Sequence, residues 1–215
     1  MQLALTVDVE ARDHPCREGN FRAMVDALVS AGAPATLFVQ GGWVEGRATD
    51  DELAALGADG MEIGLHGHTH RRFPDLSTAQ IADELRCAEA ALVAVGFAPA
   101  RPLFRFPYLA GNTDAAIRTA VRAHGWEHVD CHAIAYDWLD ELRDDPGAVA
   151  RHARNGIEDR RAAGAENAIV LLHSWPDPTP HAVRRLLTDA REQGDDLVPV
   201  SALPRADWGP PPRRP

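Results

Sequence analysis

The 215 residues are 45% hydrophobic and 25% charged, and 22 basic against 32 acidic side chains leave a formal net charge of −10. That composition predicts one globular domain whose core needs no disulfide support. The negative balance argues against nucleic acid and against an anionic membrane surface as partners, since both call for a basic stripe.

Every basic residue is Arg, so a Schiff base and a P-loop, which both need Lys, are excluded. The three cysteines, Cys16, Cys87 and Cys131, are scattered and form no Cys-x-x-Cys pair. No charged leader precedes an apolar run and no run reaches membrane-spanning length, which predicts a cytoplasmic protein.

In chain order, short apolar runs predict strands over residues 3–10, 35–39, 61–66, 103–105, 127–130, 168–173 and 197–200. Helical patterns lie between them, over 19–30, 51–56, 78–95, 114–123, 146–163 and 180–192. The third of these is the clearest: Ser77 can cap it, and Ile81, Leu85, Ala88, Leu92 and Val95 form a stripe at helical spacing. Regular strand–helix alternation predicts an α/β fold with parallel strands. The domain is expected over residues 1–203, with the Pro- and Arg-rich residues 204–215 as a tail outside the core.

In parallel α/β folds the chemistry collects at the C-terminal strand ends. Asp8, Glu10, His66, Arg105 and His173 all fall at such ends. Along the first strand Ala4, Thr6, Asp8 and Glu10 share one face, so both acids point into one space. One carboxylate can then hold a metal while the other accepts a proton from water. His66 and His70 are four residues apart, and on a helical turn both imidazoles face one ion. His68 between them faces elsewhere. Two imidazoles and one carboxylate leave coordination positions open, as a catalytic site requires. Trp43 and Trp175 offer faces on which a sugar ring can stack, and core packing explains them equally well. His14 and His132 carry no discriminating signal.

Several segments together resemble the NodB-homology polysaccharide deacetylases, also called family 4 carbohydrate esterases. Thr6-Val7-Asp8 is similar to the start of that family's first motif, and Glu62-Ile63-Gly64 with His66 and His70 to its second. Arg105-Phe106-Pro107-Tyr108 resembles the third, Asp137-Trp138 the end of the fourth, and Leu171-Leu172-His173 the fifth. The second predicted strand, Ala35-Thr36-Leu37-Phe38-Val39, also looks like the family's. The resemblance implies a distorted, seven-stranded (β/α) barrel, and a divalent metal, zinc first with cobalt, manganese or nickel as alternatives. It implies removal of acetyl from an N-acetylated amino sugar or a related small molecule. By the same resemblance Asp8 is the general base and Arg105 holds it ionised. The Tyr108 N–H stabilises the oxyanion, His173 protonates the leaving amine, and Asp137 orients that histidine. Pro107 and Trp138 are then substrate contacts.

The chain departs from the family's pattern in three places. Val9 stands where a metal-binding Asp is usual, and strand alternation favours Glu10 as the third ligand beside His66 and His70. Gly67 replaces a usual Ser or Thr, and Ile134 a frequent Asp. Rival readings are hydrolysis of a non-sugar amide or cyclic imide, an iron(II) oxygenase built on the same ligand set, and a non-catalytic carbohydrate-binding relative.

Overall fold

The computed structural model describes residues 1–10, 19–46 and 48–209; His14, Cys16 and residues 210–215 lie outside it. The chain runs β1 (Gln2–Val9), α1 (Asn20–Ser30), β2 (Ala35–Val39), α2 (Gly41–Gly46), α3 (Asp50–Leu56), β3 (Met61–Leu65) and α4 (Thr78–Ala94). It continues through β4 (Leu103–Phe104), α5 (Ala115–Ala123), β5 (Glu127–His128), β6 (Ala133–Ile134), α6 (Pro146–Ala162), β7 (Asn167–His173), α7 (Thr179–Gln193) and β8 (Asp196–Leu197). Seven strands follow the path β5-β4-β3-β2-β1-β7-β6, and the two-residue β8 joins beside the start of β1. Every pairing is parallel. Among the described residues β5 and β6 do not pair, so the barrel is curled but open along that seam.

The predicted elements recur with ends shifted by at most three residues, and two further elements, β6 and α2, were not foreseen. β6 has only two residues, too few for alternation to register. In α2 the run Gly41-Gly42-Trp43 has poor helix propensity, and its glycines serve packing. A Cβ on Gly41 would lie 2.7 Å from the Ala88 Cα of α4, and one on Gly42 would lie 2.8 Å from the His68 carbonyl. Ser77 caps α4 as expected, in a capping box with Gln80.

The core has two layers because side chains alternate along each strand. Leu5, Val7 and Val9 point toward the surrounding helices. Ala4, Phe38, Leu103, Val129 and Ile169 fill the barrel interior. That inner cluster includes Val200, Leu203 and Trp208, which corrects the tail expected from residue 204. Trp208 is 3% exposed, its carbonyl accepts from the Asp130 N–H at 2.8 Å, and Asp207 accepts from Asn167 at 2.8 Å. A hydrophilic composition concealed this, because a single indole anchors an otherwise polar segment. Among the described residues no helix is long and apolar enough to cross a membrane.

Candidate active site

Register sets the site. The Asp8 Cα faces Phe38 on β2 and His173 on β7, so the end of β1 lies between two neighbours that also end there. Beyond the strands each chain steps to the next: the His66 N–H donates to the Val39 carbonyl at 3.0 Å, and the Arg105 N–H to the Leu65 carbonyl at 2.9 Å. Asp8, Glu10, His66, His70 and His173, noted in separate segments, thus line one cavity of about 750 Å³, and Arg105 lies buried beside Asp8.

One half of the cavity is a ligand cluster. The Glu10 carboxylate and the Nε2 atoms of His66 and His70 all lie within 4.8 Å of one another. His66 Nε2 is 3.4 Å from Glu10 Oε2 and 3.2 Å from His70 Nε2, and His70 Nε2 also contacts Glu10 Oε2. His66 Nδ1 sits 3.0 Å from the Arg105 carbonyl; only an N–H can make that bond, so the Nε2 lone pair is turned to the cavity. Trp175 Nε1 donates to Glu10 Oε1 at 3.2 Å, which leaves Oε2 for the cluster. Burial alone would raise the Glu10 pKa, yet its close contacts with the imidazoles of His66 and His70 and the nearby His173 charge hold it well below the usual carboxylate range. One anionic oxygen and two aimed imidazole nitrogens suit a divalent cation.

The convergence does not use the helical turn expected from the four-residue spacing. Residues 66–70 form a loop, with Gly67 at φ +69° and His70 at φ +59°. The left-handed residues, not helical periodicity, bring the second imidazole back. His68 turns away as expected, its Nε2 3.7 Å from Glu45.

Asp8 stands next to this cluster, its Oδ2 3.6 Å from His66 Nε2. Its Oδ1 accepts from Arg105 at 2.9 Å. Arg105 is fully buried and donates also to the Thr6 hydroxyl, the Val129 carbonyl and the Asp130 carbonyl, with its guanidinium carbon 4.2 Å from the centre of the Phe38 ring. A buried cation needs such complete pairing, and its charge keeps a carboxylate beside it.

The other half is a histidine on a carboxylate. His173 Nδ1 and Asp137 Oδ1 are 2.9 Å apart, while Asp137 Oδ2 accepts from the His173 N–H and the Thr179 hydroxyl, both at 2.8 Å. Trp138 packs edge-on against the imidazole at 4.9 Å. Burial would lower the His173 pKa, but the Asp137 charge and hydrogen bond, helped by Glu10 and Asp8, push it up to about 9. The ring is thus a cation near neutrality.

Of the aromatic candidates, Trp138 and Trp175 line the cavity, as does Tyr108, which is 63% exposed. Trp43 does not. It is 5% exposed and packs edge-on against Phe21 at 5.7 Å, so its indole belongs to the helix-side core. Pro107 is buried behind the wall, where it starts the short turn that carries Tyr108. His132 is half-buried outside the cavity, and partial desolvation pushes its pKa down to about 4.

Sequence reasoning passed over Ile134, Leu171 and Tyr136 as wall residues, and Thr6 as a partner of Arg105. Thr6 had a signal, since it shares a strand face with Asp8. Tyr136 had none. His70, Tyr108, Leu109 and Tyr136 are the four non-glycine residues of positive φ among the described residues, and all four line the cavity. Each such conformation costs about 1–3 kcal/mol, so surrounding contacts must impose it.

With the fold and the cavity described, relatives can be placed beside them. A family model described as Polysaccharide deacetylase matches residues 2–129, more than half of the chain, and the protein belongs to that family. A chitin deacetylase of Colletotrichum lindemuthianum is 28% identical over 173 residues, covering 77% of this chain and 66% of that protein. The chain thus spans just under two thirds of that curated relative, and 51% of another. Among solved structures, a family 4 carbohydrate esterase from Streptomyces lividans in complex with acetate superposes with TM-score 0.68 at 24% identity, over 90% of each chain. A family 4 pseudoenzyme from Bacillus anthracis superposes with TM-score 0.75 at 21% identity, over 94% of this chain and 64% of that one. These structures share the curled (β/α) barrel.

Proposed function

We propose that the protein is a metal-dependent amide hydrolase that removes an acetyl group from an N-acetylated amino sugar or a glycosylated small molecule. The observation that carries this reading is a ligand cluster, an arginine-held carboxylate and a carboxylate-held histidine around one cavity. A divalent ion held by Glu10, His66 and His70 would supply carbonyl polarisation and water acidified toward neutrality.

Asp8 accepts the proton of the attacking water, because Arg105 holds its Oδ1 and leaves Oδ2 beside the ligand cluster. The water oxygen bonds to the acyl carbon, and the Tyr108 backbone N–H stabilises the charge that develops on the carbonyl oxygen. His173, already protonated, gives its proton to the amide nitrogen as the C–N bond breaks, so acetate and a free amine leave. Ile134, Leu171 and Trp138 shape an apolar wall, which suits a methyl group and the apolar face of a ring.

The test is to load the protein with zinc or cobalt and measure acetate and amine release from acetylated amino-sugar oligomers, small acetylamino glycosides and a cyclic imide. Equimolar acetate and amine from the sugar substrates is expected. Turnover of the imide alone would select the non-sugar reading, and ligand binding without release would select a non-catalytic role. Glu10→Gln is expected to lose metal on dialysis; full retention would remove Glu10 from the ligand set.

A further inference from the structure

A loop that presents a metal ligand must be held by something, and here support comes from the start of α2 and from α4, the helix that follows the loop. The carbonyl side of residues 67–68 is tied to the start of α2: the Gly41 N–H donates to the Gly67 carbonyl at 3.0 Å, and the Gly42 N–H to the His68 carbonyl at 2.9 Å. The amide side is tied to one carboxylate. Glu84 Oε2 accepts from the His68 N–H at 2.7 Å and the Thr69 N–H at 2.9 Å, and Oε1 accepts from the Thr69 hydroxyl.

Glu84 is 7% exposed and lies on the apolar stripe of α4, between Ile81 and Ala88. Helix packing alone would favour an aliphatic side chain there, because a buried carboxylate is costly unless its oxygens are fully bonded. The loop makes room for it. A Cβ on Gly67 would lie 3.2 Å from Glu84 Oε2, and the φ of +69° at Gly67 is one that L side chains rarely adopt.

We infer that Glu84 is a positioning residue for the cation site: it sets the path of residues 67–70, and through it the direction of the His70 Nε2 lone pair. The inference rests on the metal-dependent reading above. Glu84 touches neither the cation position nor the cavity. Its effect passes through the two backbone amides that precede His70.

The experiment titrates metal-free protein with Co(II) alone, against a competing chromophoric chelator, and records the melting temperature of the same metal-free samples. Glu84→Leu is expected to weaken Co(II) affinity about 100-fold and Glu84→Gln, which keeps one acceptor oxygen, about tenfold. If Glu84→Leu does not fold, Glu84→Gln decides. Unchanged affinity in the folded variants overturns the inference, as does a lowered melting temperature with unchanged affinity, which is the mark of a merely structural residue. Wild-type protein that takes up no Co(II) overturns the metal-dependent reading itself. Wild type and variants binding alike overturn the role of Glu84 alone.

Discussion

The two halves of the cavity solve the same placement problem in opposite ways. On the β2–β3 side, Glu10, His66 and His70 come from a strand end and a loop with left-handed residues, and the loop is held by a carboxylate on α4. On the β7 side, His173 ends a regular strand, and one carboxylate, Asp137, fixes both its ring and its backbone. The halves also carry opposite charge. Glu10 is held anionic on the first and His173 cationic on the second, with Asp8 between them. A site polarised in this way can receive a cation at one end and donate a proton at the other. The ligand loop is held on its amide side by Glu84 and on its carbonyl side by the start of α2, whereas one carboxylate serves the acid half.

Asp8→Asn should have the largest effect, roughly a 10²–10⁴-fold loss of turnover with metal content unchanged. Elemental analysis beside the rate assay checks this, and loss of metal would move Asp8 into the ligand half. Arg105→Met should come next, destabilising the protein by about 3–5 kcal/mol in denaturant melts, since it strands the buried Asp8 charge. An Asp8→Asn/Arg105→Met double variant should recover part of that loss, and strict additivity would deny the coupling.

The acid half is probed by pH. The His173 pKa is raised in the folded protein, so its contribution to stability is fully present below about 6.5, the ordinary histidine value. It is lost as pH rises through about 9. Melts of the metal-free protein should show a decline on the order of 3 kcal/mol across that window. Asp137→Asn should flatten the decline, and an unaltered slope would remove the pair as its source. The smallest change is Gly67→Ala, expected to cost about 1 kcal/mol because of the positive φ there. A neutral outcome would mean that the loop can take another path, at odds with a ligand half held in one conformation.

Much of this was legible in the chain because it depends on local order. Two-residue alternation put Asp8 and Glu10 on one strand face, and the structure brings both to the cavity. The helical stripe of α4 was plain, but Glu84 was passed over, and only the structure shows it buried beside that stripe. Other features left no local trace. The His66–His70 spacing suggested a helical turn, but a glycine and a strained histidine achieve the convergence instead. Trp43 and Trp175 both follow strand ends, yet the first joins the helix-side core while the second bonds Glu10. Trp208 looked like part of a tail and fills the barrel interior.

Periodicity and residue chemistry indicated the alternation of strands and helices, the order of the motifs carried the family resemblance, and strand ends marked the acids and histidines that gather at the cavity. They could do so because each is written within a few consecutive residues. Tertiary structure alone decided which indoles face the cavity, where the last residues pack and what holds the ligand loop, because those outcomes turn on neighbours brought from far along the chain.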